Sequence, residues 1–320
     1  MDEISISVLL AVKNGAQFIR ASIDSVLNQD YQAFELLISD DNSTDNTIQI
    51  INSYADKRIT LFSQKKSLGQ FGNFNFLLKK SKGKIAHFWS HDDVMHPNCL
   101  SETINFYTKN PSIGMSYCSG DYINEKGEVT QEWEYDATPA ILDNKLYAKY
   151  SLSYGCLAGS ISQVAINRDK IGNDYFFKKN LVHSGDFDLW TRIAKNHSIG
   201  FIPKKLTSIR NHPNQVSHKA ASNYASVVEG INITNMLFDL AKVSSEVKRK
   251  TKRELILIHY FQRIVVLLIR KEFRLFFSGL NLLKKEDNLV LVFFAWFKFR
   301  LRNRKTFLLH RKKIISHLIN

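Results

Sequence analysis

The chain has 320 residues, of which 44% are hydrophobic and 23% charged, with only 14 glycines and 5 prolines. This composition excludes a collagen-like, low-complexity or disordered chain, and it predicts one large domain or one domain with an appended module. The net charge of +14 is distributed unevenly. Residues 248–320 contain 19 Lys and Arg against 4 Asp and Glu, so the basic charge belongs to the C-terminal quarter.

Short β-rich runs alternate with helical patterns over residues 4–120. Such alternation predicts an α/β fold with a mainly parallel sheet flanked by helices, in which ligands bind beyond the carboxyl ends of the strands. In chain order we expect strand 4–12, helix 16–28, strand 34–39, helix 45–54, strand 59–62, helix 72–80, strand 84–89, helix 97–109 and strand 115–119.

Beyond residue 119 the alternation loosens, although a helix is expected to begin near Asp186. From about Tyr224 the pattern is helical and increasingly basic. We therefore predict an α/β domain over residues 1–215 and a basic helical tail over residues 216–320.

Paired aspartates follow two of the predicted strands. The sequence DDNSTD spans residues 40–45, and Asp92 and Asp93 follow the strand at 84–89. A helix-capping turn would explain the first pair, and a solvated acidic turn would explain the second. Alternatively, carboxylates at the ligand edge accept hydrogen bonds from a ribose or a base, and a divalent cation relieves the repulsion between Asp92 and Asp93.

Four elements in this order resemble the family 2 glycosyltransferases, which are inverting enzymes with the GT-A fold that use nucleotide-diphospho-sugars. They are Lys13 and Asn14 after the first strand, DDNSTD at 40–45, the pair Asp92 and Asp93, and GDFDLW at 185–190. The resemblance covers about residues 4–215. It departs from the family pattern at Lys13, where an aromatic residue is common, and at Gly185, which replaces the commoner Glu.

The resemblance implies a role for each matching residue. Asp41 would bind the base of the donor, with Asp40 supporting the same pocket. Asn14 and Arg210 would also contribute to donor binding, Arg210 through a loop that closes over the diphosphate. A solvated linker is the alternative for that loop. The glycine-containing start of the helix at 69–73 lies near the nucleotide on this interpretation, although a simple helix start explains it equally.

The metal site and the catalytic base are implied in the same way. Asp93 would be a direct ligand of Mn²⁺ or Mg²⁺, while Asp92 would lie nearer the sugar or ribose and contribute to both sites. His212 would reach the metal or a phosphate. Asp186 matches the catalytic base of the family, although as an isolated residue in a first helical turn it would be a cap.

The expected activity is the transfer of one sugar from a nucleotide-diphospho-sugar to a glycan or lipid-linked acceptor, in surface polysaccharide or glycolipid synthesis. A UDP-sugar is the default donor by family habit. The chain lacks the Gln-x-x-Arg-Trp motif of processive synthases, so a single transfer is expected. A non-catalytic nucleotide-sugar-binding protein is the first alternative, and a nucleic-acid-binding protein led by the basic tail is the second.

The basic tail is rich in Phe, Leu, Ile and Val, which is unlike a flexible nucleic-acid arm. On a helix starting near Leu291, apolar residues through Leu308 fall on one side, while Lys298, Arg302 and Lys305 fall on another. This pattern is typical of a helix lying in an anionic membrane surface, and a soluble helical cap is the alternative. Because no basic leader or long apolar run is present, we expect a cytoplasmic protein, attached peripherally to the inner membrane face. Because the tail is so apolar, we expect no nucleic-acid partner.

Overall fold

The computed structural model describes residues 5–132, 138–172, 175–213, 215, 223–301 and 304–319. The chain forms two compact units. The first comprises residues 1–143, 158–180 and 188–215, and the second comprises residues 144–157, 181–187 and 216–320. The second unit thus takes two short segments from the chain before the domain boundary predicted at residue 215. Among the described helices, none is both long and apolar enough to cross a membrane.

The first unit is built on one sheet, to which the described residues contribute ten strands. They are β1 (Ile6–Val12), β2 (Phe34–Asp40), β3 (Ile59–Ser63), β4 (Ile85–Ser90), β5 (Val94–Met95), β6 (Met115–Ile123), β7 (Val129–Gln131), β8 (Ile141–Leu142), β9 (Val164–Asn167) and β10 (Ile199–Arg210).

The strand order is β3-β2-β1-β4-β9-β6-β10-β5, with β7 paired to β6 and β8 paired to β10. Strands β3, β2, β1 and β4 are mutually parallel, and β10 is parallel to β6. Strand β9 is antiparallel to both β4 and β6, so β4 and β6 share one direction. The predicted α/β fold with a mostly parallel sheet is therefore confirmed, with β9 as an antiparallel insertion.

Helices of the first unit cover the sheet because their apolar residues recur at helical spacing. In α1 (Ile19–Leu27), for example, Ile19, Ile23 and Val26 are completely buried. All seven residues of β2 are buried, which is typical of a strand covered on both faces. The helices in this unit are α1 (Ile19–Leu27), α2 (Thr47–Asn52), α3 (Gly69–Lys80), α4 (Cys99–Lys109), α6 (Arg168–Ile171) and the greater part of α7 (Gly185–Asn196).

The second unit is helical. Its core contains Val227, Ile231, Leu257, Ile264 and Leu283, each at most 2% exposed. Its helices are α5 (Asn144–Tyr154), the first residues of α7, α8 (Asn223–Ala241), α9 (Ser245–Thr251), a π-helical turn (Lys252–Leu257), α10 (Ile258–Ile269), α11 (Phe273–Glu286), α12 (Leu289–Leu301) and α13 (Arg304–Ile319).

The single amphipathic helix expected from Leu291 to Leu308 is two helices, because α12 ends at Leu301 and α13 begins at Arg304. Arg302 lies outside the described residues, as do the side chains of Lys305 and Leu308. The strongly exposed apolar residues of α12 include Val290, Phe294, Phe297 and Leu301, which are three or four positions apart and so lie along one side of the helix, as the sequence pattern predicts for Phe294, Phe297 and Leu301.

Candidate active site

Three loops of the first unit meet at the carboxyl edge of the sheet. Strand β1 lies between β2 and β4 and is parallel to both, so the loops that follow these strands are neighbours. The backbone N–H of Asn14, after β1, donates to Ser43 Oγ, after β2, at 2.8 Å. A Cβ added to Gly15 would lie 2.5 Å from Cδ2 of His91, so glycine permits the close approach of the loops after β1 and β4. Hydrogen bonds and close packing between these loops thus hold this edge together.

Asp41 is buried in a set of hydrogen-bond donors. Its Oδ1 accepts from the backbone N–H of Leu68 at 2.6 Å and from Nδ2 of Asn73 at 2.8 Å. Its Oδ2 accepts from Ser67 Oγ at 2.5 Å, with Lys13 Nζ 3.7 Å away. Burial raises the pKa of Asp41, but the hydrogen bonds, led by that of Ser67, outweigh it and leave the pKa below its ordinary value. A carboxylate has about four acceptor positions, and these three hydrogen bonds leave one of them open. The predicted contact of Asp41 with the base of the nucleotide-sugar stays a prediction.

Asp40 and Asn14 hold the turn at residues 40–45. Asp40 is fully buried, and its Oδ2 accepts from the backbone N–H of Ser43 at 3.0 Å. Its Oδ1 has no hydrogen-bond partner within the described part of the chain. Asn14 has a left-handed backbone, with φ of 51°, and its Oδ1 accepts from the N–H of Thr44 at 2.8 Å. Both residues therefore have a structural role, and their contact with a nucleotide stays a prediction.

Asp93 connects the loop after β4 to two other segments. Its Oδ2 accepts from Ser162 Oγ at 2.6 Å, and its Oδ1 accepts from the backbone N–H of Arg210 at 2.8 Å. Its exposed fraction is 2%. Burial, together with the negative charge of Asp92, raises the pKa of Asp93. Both carboxylate oxygens of Asp93 are thus engaged within the protein.

Asp92 lies beside an imidazole. Its Oδ2 is 3.1 Å from Nε2 of His212 and 3.3 Å from Nε2 of Gln215, while Oδ1 accepts from the hydroxyl of Ser90. Burial raises the pKa of Asp92, but the charge of His91 and these hydrogen bonds outweigh it, so the pKa lies below its ordinary value. Asp92 therefore presents an ionised carboxylate next to His212.

Arg210 is 4% exposed, and its guanidinium donates to backbone carbonyls. Its Nε donates to the carbonyl of Asp92 at 2.8 Å, and its Nη1 donates to those of Asn124 at 2.7 Å and Glu125 at 3.0 Å. The guanidinium also lies 4.7 Å from the ring centre of Phe18. Arg210 thus fixes the loop around Asp92, and its contact with a donor phosphate stays a prediction.

The chemistry of this edge fits a divalent cation in part. No group of three or more metal-binding side chains occurs among the described residues. The Asp92 carboxylate and the His212 imidazole nevertheless adjoin each other, and His212 Nδ1 is buried without a partner in the described structure. Mg²⁺ and Mn²⁺ accept carboxylate ligands and are commonly completed by substrate phosphates. A cation here would therefore need a phosphate-bearing ligand.

Asp186 belongs to the second unit and lies in the first turn of α7, as its sequence pattern predicts. It is partly buried, and its Oδ1 accepts from the backbone N–H of Phe187 at 2.8 Å. Burial, with a smaller contribution from the charge of Glu229, raises the pKa of Asp186 to about 6, although the hydrogen bond from the N–H of Phe187 opposes the shift. A carboxylate with a pKa close to neutrality is suited to general-base catalysis.

Sequence reasoning did not single out Ser162 or Glu229, and it considered Asn73 only as part of the helix start at 69–73. Ser162 donates to Asp93, and its Oγ also accepts from the N–H of Ser90 at 3.0 Å. Its segment follows no obvious motif, so no sequence signal identified it. Asn73 lies in the glycine-containing helix start at 69–73, and its Nδ2 donates to Asp41, which connects that helix start to the loop after β2.

A mostly parallel sheet covered by helices, with polar loops after three adjacent strands at its carboxyl edge, is typical of α/β proteins that bind ligands at that edge. The model of the family "Glycosyl transferase family 2" matches residues 7–166 of this chain. A relative from Escherichia coli, UDP-Glc:alpha-D-GlcNAc-diphosphoundecaprenol beta-1,3-glucosyltransferase WfgD, is 32% identical over 202 residues, which cover 63% of this chain and 74% of WfgD. The chain therefore belongs to glycosyltransferase family 2.

Two solved structures share the fold. Residues 1–349 of S. aureus TarS, in complex with UDP-GlcNAc, give a TM-score of 0.66 at 19% identity, covering 86% of this chain and 79% of that 1–349 fragment. The mannosyltransferase PcManGT from Pyrobaculum calidifontis, in complex with GDP-Man and Mn²⁺, gives a TM-score of 0.57 at 14% identity, covering 98% of this chain and 84% of PcManGT. The likeness confirms the GT-A-like architecture expected from the sequence.

Proposed function

We propose that the protein is a metal-dependent inverting glycosyltransferase that moves one sugar from a UDP-sugar to a hydroxyl of a lipid-linked glycan. The observation that carries the proposal is the edge of the sheet where Asp41 follows β2 and the Asp92–His212 pair lies after β4, with the parallel strand β1 between β2 and β4. The names of two similar proteins support the donor class, since WfgD is named for UDP-Glc and TarS was solved with UDP-GlcNAc.

In the proposed reaction, Asp186 accepts the proton of the acceptor hydroxyl. The acceptor oxygen forms a bond to the anomeric carbon while the bond from that carbon to the donor diphosphate breaks. The electron pair of the broken bond leaves with the nucleotide diphosphate. Because attack and departure occur on opposite faces of the sugar, the anomeric configuration inverts.

We further propose that Asp92 and His212 hold a divalent cation together with the donor diphosphate. A bound cation would neutralise the charge that develops on the leaving diphosphate. We choose Asp92 as the direct ligand because its carboxylate adjoins the His212 imidazole, whose buried Nδ1 has no partner among the described residues. Support for a metal also comes from PcManGT, which was solved with Mn²⁺.

A lipid-linked acceptor is consistent with the exposed surface of the second unit. Large apolar side chains there are strongly exposed, among them Ile269, Phe273, Phe277, Val290, Phe294, Phe297 and Leu301. Exposed basic residues accompany them: Arg270, Lys271, Arg274, Lys284, Lys285, Lys298 and Arg300. Apolar side chains combined with Lys and Arg favour the interface of an anionic membrane. We therefore propose peripheral attachment to the cytoplasmic membrane face, and the name of WfgD supports a diphosphoundecaprenol-linked acceptor.

The experiment is a screen of nucleotide-sugars against the full-length protein, with Mn²⁺, Mg²⁺ or a chelator. A donor present at 100 times its Kd should raise the free energy of unfolding by about 2.7 kcal/mol, which thermal shift detects. The selected donor is then incubated with a diphosphoundecaprenol-linked sugar, and the product linkage is determined by NMR. Transfer that survives the chelator would contradict the metal, and a retained anomeric configuration would contradict the direct displacement. Binding of a donor without hydrolysis or transfer would instead favour a non-catalytic nucleotide-sugar-binding protein.

A further inference from the structure

One buried carboxylate in the second unit is fully engaged by the segment that precedes Asp186. Glu229, on α8, is 6% exposed. Its Oε1 accepts from the backbone N–H of Val182 at 2.9 Å. Its Oε2 accepts from the N–H groups of His183 at 3.0 Å and Ser184 at 2.8 Å. A single side chain therefore binds three consecutive N–H groups immediately before α7.

This arrangement determines the conformation of the chain where α7 begins. A carboxylate makes stronger hydrogen bonds to backbone N–H groups than a neutral acceptor does. A negative charge is also favourable near a helix N-terminus. Since α7 begins at Gly185, Asp186 follows the last bonded residue, Ser184, by only two positions.

Helix α8 is itself fixed within the second unit, so Glu229 is presented from a rigid element. Val227 and Ile231, which flank Glu229 two positions away on either side, are buried in the helical core. At Gly230 an added Cβ would lie 2.4 Å from Oη of Tyr260, so glycine permits the close packing of α8 against α10. The same hydroxyl lies 3.3 Å from Oγ1 of Thr234.

From these contacts we infer that Glu229 is a positioning residue for Asp186: it holds residues 182–184 so that the Asp186 carboxylate stays in the orientation needed to accept the acceptor proton. The inference rests on the proposed role of Asp186 as the base. It assigns Glu229 no contact with substrate. Donor binding, which we place in the first unit, should not depend on Glu229.

The test is a double-mutant cycle on the full chain with Glu229→Ala and Asp186→Asn. Misplacing a reacting group by about 1 Å can lower the rate by about 100-fold, so Glu229→Ala should lower kcat by about 10- to 100-fold while leaving the donor KM within about twofold. In the Asp186→Asn background the same substitution should change kcat by less than about threefold, because the residue it positions is already gone.

Two further variants separate positioning from general stability. Glu229→Gln preserves the volume and one acceptor oxygen, so it should retain more kcat than Glu229→Ala and should fold if Glu229→Ala does not. Hydrogen exchange should show faster exchange of the amides of residues 182–184 in both variants. Thr234→Val is the matched control, since Thr234 is buried on the same helix and its hydrogen-bond partner is Tyr260 rather than residues 182–184.

The outcomes distinguish the two proposals. If Asp186→Asn keeps its turnover, the proposed base is wrong, whatever Glu229 does. If Asp186→Asn is inactive but both Glu229 variants keep wild-type kcat, only the positioning role is overturned. Equal losses from Glu229→Ala in both backgrounds, or a loss confined to donor KM, would also overturn it.

Discussion

The two units use buried carboxylates in different ways. In the first unit, Asp41 and Asp93 each accept hydrogen bonds from side chains far away in sequence, such as Asn73 and Ser162, and so join separate loops at one edge of the sheet. In the second unit, Glu229 binds three consecutive backbone N–H groups and so fixes one short segment. The first arrangement builds a concentrated polar edge suited to a charged ligand, and the second determines the local path of the chain.

The two units also differ in how many large apolar side chains they expose to solvent. The described part of the first unit keeps most of its large apolar residues within the sheet and its covering helices, whereas α11 and α12 of the second unit expose Phe273, Phe277, Phe294 and Phe297. Exposed apolar patches on this scale are unusual unless something covers them. The comparison suggests that the polar edge serves the donor and that the exposed apolar residues serve an amphiphilic partner.

The largest effect is expected at Asp186. Asp186→Asn removes the group proposed to accept a proton while preserving the side-chain volume, so kcat should fall by about 10²- to 10⁴-fold. Donor binding should be unchanged, because it is assigned to the first unit. Steady-state kinetics and donor titration by calorimetry measure the two separately. A loss of donor affinity without a loss of turnover would place Asp186 in the donor pocket instead.

The next effect tests which aspartate of the first unit binds a cation. Asp92→Asn should lower metal-dependent transfer by about 100-fold, as expected when several kcal/mol of charge stabilisation are lost, and should abolish the thermal shift produced by Mn²⁺ with donor. Asp93→Asn is the matched variant and should retain the response to Mn²⁺, since we place the cation at the Asp92–His212 pair and give Asp93 the role of joining Ser162 and the backbone of Arg210. The reverse result would establish Asp93 as the ligand, as the sequence motif implies.

A smaller effect is expected on membrane binding. Phe294→Ser with Phe297→Ser should weaken binding to vesicles containing anionic lipid by about tenfold or more, because burial of each Phe contributes up to about 1.5–3 kcal/mol. Cosedimentation measures the affinity. The matched pair Val290→Ser and Val129→Ser compares similarly exposed valines, 60% and 55%, in the two units. Only Val290→Ser should weaken binding, and equal effects would contradict a membrane surface confined to the second unit.

Salt provides the control for the basic residues. Electrostatic attraction to anionic lipid is screened over about 8 Å at physiological ionic strength, so added salt should weaken binding. Binding that remains in high salt should be the part lost in the Phe294→Ser, Phe297→Ser variant. If the full-length protein does not bind anionic vesicles at low salt, the membrane interpretation is wrong and the tail is a helical cap.

The smallest effect concerns the pH dependence of stability. Burial raises the pKa of Asp186 to about 6 in the folded state, from an ordinary value of 3.8. Because the folded state binds the proton more tightly, this group stabilises the fold below about pH 4, and the contribution is lost as the pH rises to about 6. Asp186→Asn removes the cost of ionisation, so it should stabilise the protein by about 1–3 kcal/mol more at pH 7 than at pH 4. Urea unfolding at the two pH values measures the difference, and identical shifts at both would contradict the raised pKa.

The sequence by itself determined the α/β fold and the location of the candidate site. Alternating strand and helix patterns are local properties, and the carboxyl ends of parallel strands must meet at one edge, so the loops bearing Asn14, Asp41 and Asp92 could be placed together before the structure was known. The start of α7 near Asp186 could also be predicted, since Phe187, Trp190 and Ile193 have helical spacing.

Only the tertiary structure decided how these residues are used. Ser162 and Arg210 reach Asp93 from positions 69 and 117 residues away, and no local pattern encodes such pairings. The insertion of β9 between β4 and β6 has the same origin, because strand order depends on long-range packing. Glu229 looks like an ordinary helical residue in sequence. Its role follows from the folding of α8 against residues 182–184, which satisfies three N–H groups that local hydrogen bonding leaves free.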